Sequence, residues 1–428
     1  MGEHAKIFPG FWPYGDQVIL GCIHKVGLGR FKGLVSTTAF LFLFSFPIIQ
    51  GSPLAHMSFT SRSNKKPHER VEFPLNCSVA TLQGKKCPNK YPSVFEPDES
   101  STETCPDYFR WIHQDLQLWK TSGITEDMIE RGKASAHFRL VIVGGNVYVE
   151  KYTRPYQTRD VFTKWGILQL LRLYPGKVPD LDILFYSGDE TKIMRSDYQG
   201  PNSTLAPPLA EVNIMPWEDM LRAIKKGRKR TKWEQREPYA FWKGSTWSVS
   251  KKYILACDSM TLMIKPRYFD FFSRSMMPMQ HYWPIRRQDK CRDLKFAVEW
   301  GNNHTQQAQD IGKAGSKFIE EILTMRNVYD YMFHLLNEYS KLLKYKPTVP
   351  SKARRICVES TACKQKGVWK EFLFQSLVKS PSHKPPCELP PPYEPQAIQA
   401  SMDKIANIDK QVENWGNVYW NKLNDTNQ

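Results

Sequence analysis

The chain has 428 residues, a formal net charge of +17, 41% hydrophobic and 13% aromatic residues. That length allows two domains and a sizeable core, and that apolar content excludes wholesale disorder. The positive charge fits nucleic acid, an acidic membrane surface or a phosphate-bearing ligand, so compartment has to separate these classes.

Residues 34–49 read LVSTTAFLFLFSFPII without a charge, and Lys25, Arg30 and Lys32 precede them. Taken as 33–55, the stretch reaches the roughly 20 residues that cross a bilayer. A positive flank stays cytosolic, which predicts a single-pass type II signal anchor in the Golgi or endoplasmic reticulum membrane, with a luminal body. A cleaved signal peptide with a long basic start is the alternative. Eight cysteines (Cys77, Cys87, Cys105, Cys257, Cys291, Cys357, Cys363, Cys387) follow the span, and Cys22 alone precedes it. An even luminal count fits disulfides, with Cys77/Cys87 and Cys357/Cys363 as local pairs to test. Sequons at Asn76, Asn202, Asn303 and Asn424 also follow the span.

Residues 1–32 thus read as a cytoplasmic tail and 33–55 as the anchor, and 56–104, rich in Ser, Pro, Lys and Glu, as a stem. Folded sequence begins near Cys105 with helical apolar spacing over 105–119, then a second helix over 122–133 for which Thr125 is the expected N-cap. FRLVIVGGNVYVEKY (138–152) alternates on both sides of Gly144-Gly145-Asn146, a hairpin signal. An amphipathic helix over 159–175 and a buried strand over 181–187 point to an α/β domain. A basic helix over 217–237, a helix start at Ser248, a strand at 260–264 and a short strand at 281–285 come next. Long helices reach Tyr345, and a proline-rich tail leads to a last helix ending near Trp415.

Few motifs carry chemistry by themselves. The basic run Lys225, Lys226, Arg228, Lys229, Arg230, Lys232 has no zinc-finger or aromatic RNA-binding motif beside it, so a solvated helix face is the expectation and nucleic acid is not a partner. Asp180-Leu-Asp182 resembles an Asp-x-Asp metal triplet, yet at the mouth of an apolar strand one Asp commonly ends a loop and the other caps a turn. No nucleophile elbow, metalloprotease helix or P-loop occurs. Cys357 to Cys363 is poor in His and too widely spaced for zinc. A helix start at Ser248 or Ser250 presents free N–H groups that suit a diphosphate, while an ordinary capped helix is the bland reading.

Longer blocks say more. SVSKKYILACDSMTLMIKPRYFDFFSR (248–274), MPMQHYWPIRRQDKCRDLKFAVEWGN (277–302) and VYDYMFHLLNEYSKLLKYKP (328–347) closely resemble the plant branch of the rumi-like protein O-glucosyltransferases of glycosyltransferase family ninety. EPYAFWKG (237–244), NIMPWEDML (213–221) and PCELPPPYEPQAI (386–398) resemble it too. The resemblance implies two facing Rossmann-like domains of GT-B type. An N-terminal, acceptor-side domain would span 105–235 and a nucleotide-sugar domain 236–350, with a Cys/Pro-rich tail and C-terminal helix over 351–428.

It also implies an inverting, metal-free transfer of glucose or xylose from a UDP-sugar to a protein or polysaccharide hydroxyl, with no cofactor. Lys243, Gly244, Ser245, Trp247, Ser248 and Ser250 would border the nucleotide. The relatives' base is an aspartate just after such a hairpin, and the nearest carboxylates here are Glu150 and Asp160. Relatives also carry an arginine near Ser250, which this chain lacks. Two family blocks are absent, one between Leu209 and Glu211 and one between Lys243 and Trp247, so the C-terminal domain is expected to be incomplete. A catalytically inactive, membrane-anchored binding or scaffold protein is the alternative function.

Overall fold

In the computed structural model the described residues are 72–73, 75–78, 87, 94, 97, 103–155, 159–187, 216–235, 251–265 and 269–425. The hairpin sets the architecture. Strands β1 (Phe138–Val143) and β2 (Asn146–Lys151) are joined only by Gly144 and Gly145, whose φ values of +54° and +71° are the paired positive angles that a two-residue turn of this twist needs. So short a turn permits only antiparallel pairing, and Arg139 faces Glu150 across the ladder. Helix α3 (Arg159–Leu173) then crosses the sheet and returns the chain as β3 (Leu181–Phe185), antiparallel to β1 on its far side. The three-residue β6 (Arg354–Ile356) pairs antiparallel with β2, giving the order β3-β1-β2-β6.

Two short helices precede the hairpin, α1 (Trp111–Asp115) and α2 (Glu126–Gly132). Thr125 caps α2 as expected, its side chain accepting the Met128 N–H at 3.3 Å. The main core lies around the sheet, where Phe109, Ile112, Phe138, Leu140, Ile142, Leu170 and Leu181 are essentially inaccessible. Full burial of such a side chain is worth about 1.5–3 kcal/mol, and these few positions dominate the unit's cohesion.

The second half is helical. Helix α4 (Trp217–Arg230) and the short α5 (Lys251–Leu255) share a small core through Trp217, Ile224, Tyr253 and Leu255. Strands β4 (Leu262–Ile264) and β5 (Trp283–Ile285) pair in parallel, so the strand expected after the Ser248 segment does join a parallel pair. Helices α6 (Lys290–Asn303), α7 (Thr305–Ile322) and α8 (Met325–Ser340) follow. Then come α9 (Val358–Ala362), α10 (Gly367–Gln375) and α11 (Pro395–Asp425). The last helix runs about ten residues beyond the expected Trp415 because Val412, Gly416 and Tyr419 continue its inward stripe onto α6.

Three expectations need correction. The fold is α/β, but the described residues hold one antiparallel four-stranded sheet and one parallel pair rather than two facing parallel sheets. The two-residue Gly-Gly turn is the physical reason, since parallel neighbours need a long crossover. A membrane-spanning helix is not supported either: among the described residues no helix is long and apolar enough to cross a membrane, and 33–55 lie outside them. The single-pass anchor, type II topology, Golgi or endoplasmic reticulum membrane placement and membrane contact are withdrawn with it.

The local disulfide pairs are the third correction. Among the described residues Cys77 bonds Cys363, Cys87 bonds Cys357 and Cys105 bonds Cys387, so each of these bridges ties the N-terminal stretch to the C-terminal one, while Cys291 is free and exposed. Helix α9 separates Cys357 from Cys363, which directs the two sulfurs to different partners.

Candidate active site

Arg139 sits in a strand whose other side chains are all apolar, so burial obliges it to find an acid. It finds two. Nε and Nη2 bond both oxygens of Asp182 on β3, with Nε to Oδ1 at 2.7 Å, and Nη1 reaches Glu130 Oε1 at 2.9 Å. Asp182 is completely inaccessible and also accepts the Tyr345 hydroxyl at 2.9 Å, while its carbonyl accepts the Tyr339 hydroxyl at 2.9 Å. Burial works against the Arg139 charge, yet the hydrogen bonds and charge of Asp182 more than offset it and raise its pKa. Tyr345 and Tyr339 are pushed up by burial and by the Asp182 charge, so both stay protonated donors.

The register brings Glu150 onto the same face as Arg139, directly across the ladder. Glu150 is buried and accepts the Tyr152 hydroxyl at 2.9 Å. Burial, followed by that bond to Glu150, raises the Tyr152 pKa, and the nearby Arg139 opposes the rise. A carboxylate in this position keeps acceptor capacity beyond the one Tyr152 bond, which is what a proton acceptor needs.

Asp160 lies elsewhere. It opens α3, and Oδ2 accepts Lys164 Nζ at 2.5 Å, with both groups buried. Lys164 also lies over the Phe138 ring, on the sheet face opposite to Arg139 and Glu150. Burial lowers the Lys164 pKa, only partly countered by Asp160. Beside this pair Arg159 Nη1 donates to the Ser187 carbonyl at 3.1 Å, and the Ser187 N–H donates to His137 Nδ1 at 2.9 Å. The sheet therefore separates the two carboxylates rather than joining them in one constellation.

Lys243, Gly244, Ser245, Trp247, Ser248 and Ser250 lie outside the described residues. The neighbouring Lys251 has a buried ammonium that donates to Asp270 Oδ2 at 2.9 Å and Ser273 Oγ at 3.1 Å.

The metal question turns on donor chemistry. Asp180 Oδ1 accepts the Gly144 N–H at 2.7 Å and caps the hairpin turn, and Asp182 is taken by Arg139, so the Asp-x-Asp pair has structural partners for both members. Cys105, His334 and Cys387 cluster closely enough to suggest ligation, but the two sulfurs are bonded to each other and offer no thiolate. Arg139, Tyr152, Lys164 and the Lys251 triangle were not singled out from sequence, and Asp182 was read only as part of the Asp-x-Asp pair. The legible signal was a single charge inside each of two apolar strands, FRLVIV and LDILF.

The family described as "Glycosyl transferase family 90" matches residues 100–210, 208–246 and 243–416. The matched segments meet at 208–210 and 243–246, the two junctions singled out in the sequence. Rat "Protein O-glucosyltransferase 1" is 31% identical over 97 residues, 23% of this chain and 24% of that protein. Human "Protein O-glucosyltransferase 3" is 29% identical over 97 residues, 23% of this chain and 19% of its own length. The "O-glucosyltransferase rumi homolog" of Aedes aegypti is 30% identical over 94 residues, 22% of this chain and 23% of that protein. The chain thus spans about a fifth to a quarter of the length of these curated relatives. They are animal proteins and lend no support to the plant branch suggested by the sequence blocks.

Proposed function

The chain belongs to glycosyl transferase family 90, and from that premise we propose that it moves a sugar from a UDP-sugar to a hydroxyl of a protein or glycan acceptor. The family match over most of residues 100–416 carries this reading. Glucose is favoured because the matched relatives are named O-glucosyltransferases, with xylose second.

Glu150 is the proposed base. Its hydrogen bond from Tyr152 and its place opposite Arg139 support that role, whereas Asp160 is held by Lys164. The acceptor O–H gives its proton to the Glu150 carboxylate as the oxygen bonds the anomeric carbon. The bond from that carbon to the UDP oxygen breaks on the opposite face, and the anomeric configuration inverts. Lys243, Gly244, Ser245, Trp247, Ser248 and Ser250 border the nucleotide in this reading, with positive groups offsetting the diphosphate charge without a metal.

Glu150→Gln is expected to lower kcat for transfer by about 10²–10⁴-fold while leaving UDP affinity unchanged. Full activity in Glu150→Gln with loss in Asp160→Asn would move the base to Asp160. A second reading, an inactive sugar-nucleotide or acceptor binder, is favoured by the breaks in the family match at 208–210 and 243–246. A wild-type protein that binds UDP but releases none from UDP-glucose in the presence of acceptor would select it.

A further inference from the structure

The sequon at Asn303-His304-Thr305 lies wholly within the described residues. Asn303 ends α6, His304 breaks the chain and Thr305 begins α7, and all three residues are exposed. The Asn303 amide makes no hydrogen bond among the described residues. Asn76 differs: its Oδ1 accepts the Ser78 N–H at 3.1 Å, and the middle residue of its sequon, Cys77, is committed to Cys363.

Around Asn303 the surface is aromatic. Trp300 lies one helical turn earlier, at the i, i+3 spacing that places both side chains on one face. The His304 ring stacks on Trp300 at 4.5 Å and 11°, and Trp415 of α11 lies parallel to Trp300 at 6.4 Å and 9°. Beneath them Trp283 is fully buried against Trp300 at 4.4 Å. Trp415 remains 38% exposed, an apolar edge on the Trp300 side of the sequon. Three disulfides among the described residues are an independent sign that the chain matures in an oxidising compartment, where asparagine-linked glycosylation takes place.

We propose that Asn303 carries an N-linked glycan whose first N-acetylglucosamine packs on the exposed edge of Trp415. The donor is a lipid-diphosphate-linked oligosaccharide. Asn303 Nδ2 bonds the anomeric carbon of its first sugar and loses a proton, and the lipid diphosphate leaves with the electron pair of the broken C–O bond. The apolar face of a pyranose, with its axial C–H groups, suits an exposed indole. This modification is independent of the transferase reading.

The test is peptide mapping by mass spectrometry of the full chain produced in a eukaryotic secretory host, with and without an amidase that releases N-glycans. The expected result is an N-acetylhexosamine-bearing peptide at Asn303 that carries the mass of an aspartate at that position once the glycan is released; an Asn303 peptide found only unmodified overturns the site. Packing is tested by thermal unfolding before and after release, in wild type and in Trp415→Ala. Release is expected to lower Tm in the wild type and to leave it unchanged in Trp415→Ala. Equal shifts in the two proteins would overturn the packing.

Discussion

Arg139 and Asp182 show how one strand charge dictates another. Replacing Arg139 with Met leaves a fully inaccessible carboxylate with one hydroxyl donor, Tyr345, and no countercharge. Breaking such a pair costs about 3–5 kcal/mol, whereas exchanging both members for apolar residues of similar volume is often neutral. Chemical denaturation should therefore find Arg139→Met strongly destabilised and Arg139→Met/Asp182→Leu partly restored; additive losses would mean that the Tyr345 bond, not the ion pair, carries the site. His334 yields a pH prediction. Burial lowers its pKa from 6.5, and its Nε2 lies 2.6 Å from the Cys387 carbonyl, a contact a neutral N–H can make; Asp330 and Glu338 raise the pKa too weakly to reverse this. The folded pKa is depressed, so below 6.5 the unfolded chain takes up a proton that the native histidine resists, and stability falls as pH drops from 6.5 toward the folded value. His281 is shifted the same way by burial. A Tm series from pH 7.5 to 5 (roughly spanning the unperturbed histidine range) should fall less steeply in His334→Gln than in wild type.

At the level of elements, α7 is placed by contact too close for a side chain. A Cβ on Gly312 would come within 2.8 Å of the Ser259 backbone, and one on Gly315 within 2.6 Å of the His281 carbonyl. Ser316 continues the same face, accepting the Asp258 N–H at 2.7 Å and donating to the Leu255 carbonyl at 2.9 Å. Gly312→Ala gains about 1 kcal/mol in helix propensity and loses more by forcing backbone apart, since overpacking costs about 1–3 kcal/mol. A net drop in urea midpoint is expected, and a rise would mean that the Ser259 turn yields freely. The hairpin was legible because alternation and the Gly-Gly-Asn turn are local signals, and the strand at 181–187 because its first residues are apolar apart from the internally paired Asp182. What local pattern could not supply was the neighbour of each strand. β3 lies beside β1 through the Arg139–Asp182 bond, a contact 43 residues apart, and β6 is three partly exposed residues with too few alternations to read. Glu150 and Asp160 looked equivalent by distance from the hairpin, and only the sheet's two faces tell them apart.

For the molecule as a whole, the decisive connections run between its ends. The Cys105–Cys387 bridge sits within a wider clasp: Cys105 N–H donates to the Glu388 carbonyl at 2.9 Å, Glu388 N–H to the Glu103 carbonyl at 2.8 Å, and Arg110 Nη1 to the Pro391 carbonyl at 2.7 Å. Tyr393 adds a bond to the Asp107 carbonyl at 3.0 Å and packs on Trp111. From the tail side, Arg326 reaches the Pro385 carbonyl at 2.6 Å while holding Asp330, which also accepts the Tyr174 hydroxyl. The proline-rich segment is thus a built part of the sheet domain. Crosslinks of this span act mainly by shrinking the unfolded ensemble, and for a separation of 282 residues the chain-entropy estimate is about 5.6 kcal/mol for a single bridge. The three closed loops overlap over most of their length, so opening one leaves most of that constraint with the other two. Cys105→Ser/Cys387→Ser should therefore lose only about 2 kcal/mol, the low end of the usual range, while full reduction should unfold the chain or leave it far less stable. If the single-bridge variant loses as much as full reduction, the noncovalent clasp at 103–113 and 385–393 depends on its sulfur bond, and the polar contacts there hold only what the bridge has already brought together.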